Sequence, residues 1–222
     1  MQQNGYSARR AAMIAAGFWK DRILLDDFDA LLRERPEALA IVAHDVTTGA
    51  RTRLTYGELG TRVERIAVGL ARLGVETGDV VSYQLPNWWE FVALHLACLR
   101  IGAITNPMMP ILRRRELEFM LNHARSKVMV TPSVFRDFDY AAMIAGMRDV
   151  LPHLTHALAI GGAGETGFER LYATTVDRTE ADRLFAARRP SPDDIIQVLY
   201  TSGTTGEPKG VMHTSNTLIS NL

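Results

Sequence analysis

A chain of 222 residues, 47% of them apolar, is long enough for one large α/β domain or for one domain and the start of another, and its composition is not that of a disordered segment. Its 25 basic and 25 acidic side chains balance, so nothing pulls it over long range toward nucleic acid or an anionic membrane. The single cysteine, Cys98, excludes an internal disulfide, and no Cys/His group has zinc-like spacing, so the expected setting is a reducing one, the cytoplasm.

Near the N-terminus, Arg9 and Arg10 precede a short apolar run, residues 11–18, that ends in Trp19, Lys20, Asp21 and Arg22 without a small-residue cleavage site. This predicts a helix, not a signal peptide. No apolar run approaches the ~20 residues of a spanning helix. Residues 40–43 and 51–55 flank a turn containing Gly49 and predict a β-hairpin. Thr55 and Glu58 then have capping-box spacing. Leu59, Val63, Ile66, Leu70 and Leu73 share one face of the helix they open, and Gly74 suits the left-handed residue beyond its end. Residues 80–85 predict a buried strand ended by Pro86. Asn87 is the expected cap of the next helix, with Glu90 reciprocal, running to about Arg100 before Gly102. Trp88, Trp89 and Cys98 on it are read as packing residues.

A short strand at 103–105 leads into a loop at 106–110. The basic cluster Arg113, Arg114 and Arg115 reads as a solvated start to a helix over Arg114–His123, with Leu117, Met120, Leu121 and Ala124 inward. Residues 127–131 predict a strand, 140–151 a helix and 156–160 another strand. This alternation predicts an α/β fold, a mostly parallel sheet flanked by helices. From 161 to 192 the sequence reads as loop and linker with short helical pieces. A strand restarts at 195–200, giving expected units at 1–190 and 191–222.

The informative segment is residues 200–210, Tyr-Thr-Ser-Gly-Thr-Thr-Gly-Glu-Pro-Lys-Gly. Gly203 and Gly206 let backbone N–H groups turn toward an anion. Ser202, Thr204 and Thr205 add hydroxyls, and Lys209 adds a mobile positive charge. A strand before the loop and a helix after it, from about Thr214, is a setting in which α/β proteins hold phosphates. The spacing is not that of a Walker loop: two residues, not four, separate the glycines, and Lys209 is followed by Gly210.

Residues 200–211 resemble the signature loop of AMP-binding acyl-CoA synthetases and related adenylate-forming enzymes. The resemblance extends to residues 54–59, 78–81, Pro86 with Asn87, Glu90 with Phe91, Gly102 with Ala103, and Asn106 with Pro107. Asn106, Pro107 and residues 113–116 look most similar to members acting on medium-chain or alicyclic acids. It implies a two-step reaction. A small-molecule carboxylic acid attacks the α-phosphorus of ATP, with Mg2+, to give an acyl-adenylate and pyrophosphate; a thiol, usually coenzyme A, then takes the acyl group. It further implies that Thr201, Ser202, Gly203, Thr204, Thr205, Gly206 and Lys209 cradle the terminal phosphates, with Lys209 and Thr204 the candidate catalytic residues. It leaves room for a homo-oligomer and for a carrier protein as acceptor.

Related enzymes often carry a histidine six residues beyond the loop lysine. Here Ser215 stands there, and His213 is nearest. Such enzymes are more than twice this length, so the chain is expected to be an N-terminal fragment with weak or no turnover. A rival motif at 162–167 formally matches a dinucleotide fingerprint, but it lacks a strong following helix and a downstream strand ending in an acid. A nicotinamide-dependent oxidoreductase is thus the disfavoured alternative, beside a non-catalytic α/β module. His153 and His156 read as structural residues, not as metal ligands.

Overall fold

The computed structural model describes residues 2–173, 175–201 and 207–220. Two helices open it, α1 (Gln2–Ala15) and α2 (Leu24–Glu34). Strands β1 (Leu39–His44) and β2 (Arg51–Thr55) pair antiparallel as the hairpin predicted around Gly49, whose φ is +73°. Helix α3 (Tyr56–Arg72) begins at the predicted capping box. Thr55 Oγ1 accepts from the Glu58 N–H at 3.2 Å, and Glu58 Oε2 accepts from the Thr55 N–H at 2.8 Å.

The central α/β unit follows: β3 (Val80–Tyr83), α4 (Trp89–Arg100), β4 (Ile104–Pro107), α5 (Arg114–His123) and β5 (Val128–Pro132). A small hairpin, β6 (Val134–Phe135) and β7 (Phe138–Asp139), leads to α6 (Tyr140–Ala145) and then to β8 (His156–Ile160). Helices α7 (Arg170–Ala173) and α8 (Arg178–Ala187) precede β9 (Ile195–Thr201), β10 (Lys209–Thr214) and α9 (Ser215–Ile219). Among the described residues one six-stranded sheet has the order β10-β9-β4-β3-β5-β8. All its pairings are parallel except β10 with β9.

From β3 the chain steps one way to β4 and then crosses to the other side, to β5, so the connecting helices lie on opposite faces. Helices α3 and α4 pack on one face with Val81, Tyr83, Val128 and Val130, and α5 packs on the other with Met129, Ile144 and Met147. Strand alternation sets this division, because neighbouring residues of β5 point into different clusters. Val63, Ile66 and Leu70, predicted to face inward from α3, are fully buried, each adding roughly 1.5–3 kcal/mol of hydrophobic stabilisation.

Four expectations are corrected. Trp88, not Asn87, is the N-cap of α4 and makes no side-chain cap bond; its N–H turns back to Pro86 O at 2.7 Å, which delays the helix by one residue. The predicted helix over 140–151 breaks after Ala145, and a 3-10 turn at Arg148–Val150 replaces its end. In the stretch read as loop and linker with short helical pieces, one piece, α8, is ten residues long, and Arg188 Nη1 docks on Val75 O at 2.6 Å, so the stretch is packed against the frame and is not a linker. Finally, β10 lies between the glycine loop and the helix expected after it.

Candidate phosphate site

Strands β3, β4, β5, β8 and β9 run parallel, so their carboxyl ends share one edge of the sheet. The chain leaves β9 at that edge through the glycine-rich segment and returns as β10. Thr201 and Lys209 are register partners at the mouth of this hairpin, followed by Tyr200 opposite Gly210. Ser202, Gly203, Thr204, Thr205 and Gly206 lie outside the described residues. The edge is where open α/β sheets bind ligands, and the strand order reverses between β3 and β5, with β4 and β3 standing between that crevice and β9.

The helix expected to point at the phosphates does not do so. Strand β10 carries the chain back across the sheet before α9 starts, so the N-terminus of α9 lies at the opposite edge from the loop. Its first turn is closed internally, with Thr214 Oγ1 accepting from the Thr217 N–H at 3.2 Å. Among the described residues at the hairpin mouth, the positive charge is that of Lys209. Lys209 is exposed, and no carboxylate among the described residues pairs with it. Thr201 is exposed beside it.

The two residues considered at the usual histidine position part company. His213 is half-buried within β10 opposite Gln197. Ser215 is buried, and its Oγ accepts from the Leu24 N–H at 3.3 Å, so it ties α2 to α9.

Other chemistry at this edge was not singled out from the sequence. On the α5 face, Asn106 Nδ2 donates to Ser82 Oγ at 2.9 Å, and Ser82 Oγ lies 2.6 Å from Ser126 Oγ. Gln84 Nε2 donates to Met109 O at 2.8 Å and to Leu112 O at 3.0 Å, anchoring the loop after β4. The signal was present as Ser82 and Gln84 alternating with apolar residues in a strand buried on both faces. On the α4 face, Glu90 lies near Arg62, Glu169 and Tyr172. Burial pushes its carboxyl up to about 7; its own backbone N–H opposes this, the Glu169 charge adds to it, and Arg62 opposes it.

The rival motif at 162–167 opens no helix. Residues Gly164–Thr166 form a 3-10 turn, and the Gly161 N–H donates to Glu169 Oε1 at 2.9 Å. His156 Nε2 lies 3.0 Å from Leu73 O. Among the described residues no group of three or more His, Cys, Asp or Glu side chains is placed to hold a metal ion, and no helix is long and apolar enough to cross a membrane.

Comparison with known proteins shows the family. A family model described as AMP-binding enzyme matches residues 28–222. The chain is 34% identical over 212 residues to a medium-chain fatty-acid–CoA ligase of Escherichia coli (strain K12), covering 95% of this chain and 36% of that protein. It is 34% identical over 213 residues to a 2-hydroxy-7-methoxy-5-methyl-1-naphthoate–CoA ligase of Streptomyces carzinostaticus, covering 94% and 37%. Among solved structures, apo MbtA of Mycobacterium smegmatis superposes with a TM-score of 0.78 at 27% identity, over 97% of this chain and 38% of that one. The chain thus spans little more than a third of the length of these relatives.

Proposed function

Because the chain belongs to the AMP-binding enzyme family, we propose that it carries the triphosphate-holding part of an AMP-forming acid–thiol ligase. In that reaction a carboxylate attacks the α-phosphorus of ATP, releasing pyrophosphate and leaving an acyl-adenylate. A thiol, for which coenzyme A is the assigned acceptor, then displaces AMP. The acid is a small carboxylic acid, and the reaction is assigned to the cytoplasm.

The observation that carries the reading is the meeting of motif and place. The flanks of the motif, Tyr200 with Thr201 and Lys209 with Gly210, stand at the carboxyl edge of a parallel sheet, where Thr201 and Lys209 are register partners across the hairpin mouth. Exposed and unpaired with any described carboxylate, Lys209 can meet the β- and γ-phosphates and offset the charge that gathers on departing pyrophosphate. Thr201, with Ser202, Gly203, Thr204, Thr205 and Gly206 by sequence position, donates to the same oxygens. The first step asks the protein mainly to position and neutralise, which suits hydroxyls, glycines and one lysine without a nucleophile. Magnesium offsets phosphate charge in such reactions. The described residues offer it no cluster of ligands, and neither it nor coenzyme A is assigned to a residue here. Within this reading, 191–222 is the phosphate-bearing unit and 1–190 the frame to which its strands are joined.

The test is calorimetric titration of ATP, followed by pyrophosphate exchange into ATP across a panel of carboxylic acids. Lys209→Ala should weaken ATP binding by roughly tenfold or more, as loss of a charge-assisted phosphate contact does. Unchanged binding by that variant would remove the phosphate assignment.

A further inference from the structure

The tyrosine before the loop is held from outside its own hairpin. Tyr200 Oη donates to Met120 O at 3.2 Å and lies 2.8 Å from His123 Nδ1. The His123 ring stacks on Phe119, one turn earlier on α5, with centroids 5.5 Å apart and planes 11° from parallel. Tyr200 meets His123 edge-on at 5.8 Å and Phe119 at 6.5 Å. Burial raises the pKa of the Tyr200 phenol above its ordinary value, so its proton is present at neutral pH. With that proton directed at the Met120 carbonyl, the phenol oxygen accepts, and His123 Nδ1–H is the donor.

On the other strand, the tyrosine ring covers its register partner. A Cβ built on Gly210 would lie 3.5 Å from Tyr200 Cε1 and 3.6 Å from Cζ. Tyr200 is therefore gripped between α5 and β10, and the next residue along its strand is Thr201, whose register partner is Lys209.

We propose that His123 is a positioning residue for phosphate binding, which by holding the Tyr200 hydroxyl fixes the Thr201–Lys209 pair at the carboxyl edge. The inference rests on the phosphate reading above. His123 itself is exposed, so its bond adds little to global stability. Its consequence is local: a hinge point next to the binding residues is held in one orientation, and affinity follows the precision of that placement.

The experiment is calorimetric titration of ATP into the chain, comparing wild type with His123→Leu, His123→Asn and Tyr200→Phe, with the urea midpoint of each measured alongside. The asparagine amide nitrogen replaces Nδ1–H. His123→Leu and Tyr200→Phe should weaken ATP binding about fivefold, and His123→Asn should recover most of that loss, at nearly constant unfolding midpoints. If wild type binds ATP through Lys209 but His123→Leu binds equally well, this inference falls and the phosphate reading stands. If wild type binds no ATP, both fall. Affinity that drops equally in all three variants together with the unfolding midpoint would assign His123 a merely structural role and overturn the proposal.

Discussion

Glu90 shows how far a residue's chemistry depends on neighbours that its own segment does not contain. With Trp88 as cap, Glu90 falls at the second position of α4, between α3 and the segment before α7. Arg62 reaches over the Trp89 ring at 4.6 Å, and Trp89 meets Tyr172 edge-on at 5.7 Å. Arg62 Nη1 and Glu169 Oε2 are buried without a hydrogen-bond partner, so the charges around Glu90 are incompletely compensated. Its carboxyl, at about 7 in the fold, has an ordinary value near 4.5, so the folded state binds the extra proton between those values. The stabilising contribution of neutral Glu90 is therefore complete below about pH 4.5 and lost as pH rises through about 7. Glu90→Gln, which mimics the neutral form, should match wild type near pH 5 and exceed it by about 1–2 kcal/mol at pH 8, a figure reduced for partial exposure. Urea unfolding at the two pH values checks this, and equal wild-type and variant curves at pH 8 would show that Glu90 titrates normally. The Asn87–Glu90 spacing suggested a cap because spacing reports only the local turn. That Glu169 and Arg62 converge on the same carboxylate is a long-range fact.

At the scale of the element, the chain's most readable features were those closed within a few residues. Helices α3 and α4 end in the same way. The Gly74 N–H donates to Ala71 O and Val75 to Leu70 O; Gly102 donates to Leu99 O and Ala103 to Cys98 O. Both glycines have positive φ, +81° and +68°, as the left-handed residue of this cap requires. Their surroundings differ. A Cβ on Gly74 meets nothing within 4 Å, whereas one on Gly102 would lie 2.8 Å from Arg188 O and 3.0 Å from Thr77 Cγ2. Gly74→Ala should cost about 1 kcal/mol, the backbone term alone. Gly102→Ala should cost roughly twice that or more, because a backbone carbonyl cannot step aside as a flexible side chain can. Equal urea midpoints for the two variants would show that the segment around Arg188 is not packed as described. Both caps could be read from Gly74 and Gly102 alone. Strand β10 could not: Val211 and Met212 are neighbours on opposite faces yet both exposed, so no alternation marks the strand, and only β9 beside it makes it one. The glycine loop reads in sequence as a candidate phosphate motif, but that the chain returns from it as a strand and does not feed a helix depended on that unmarked strand.

At the scale of the whole molecule, residues 10–26 and residues 189–216 meet beneath the candidate site. Asn216, almost fully buried at the start of α9, accepts the Asp21 N–H at Oδ1 (3.2 Å) and donates from Nδ2 to Asp193 Oδ1 at 2.9 Å. Its own N–H reaches Pro192 O at 3.2 Å. Arg10 bridges Asp21 and Asp193, and Arg189 pairs with Asp26. Asp21 has a φ of +53°, a conformation that a non-glycine residue keeps only when its surroundings hold it there. No sequence pattern announces such a junction, since Arg10, Asp21, Asp193 and Asn216 stand in four separate polar stretches with nothing local to pair them. The physical expectation is that the turn into α2 and the return from β10 into α9 open together. Asn216→Ala removes both side-chain bonds from a buried position and should cost about 2 kcal/mol. Native-state hydrogen exchange should then show faster exchange at residues 21–28 and at 215–219 by the same factor, the mark of one cooperative unit. Acceleration confined to 215–219 would mean that the turn into α2 is held by its ion pairs alone, and that the two segments are neighbours without being coupled.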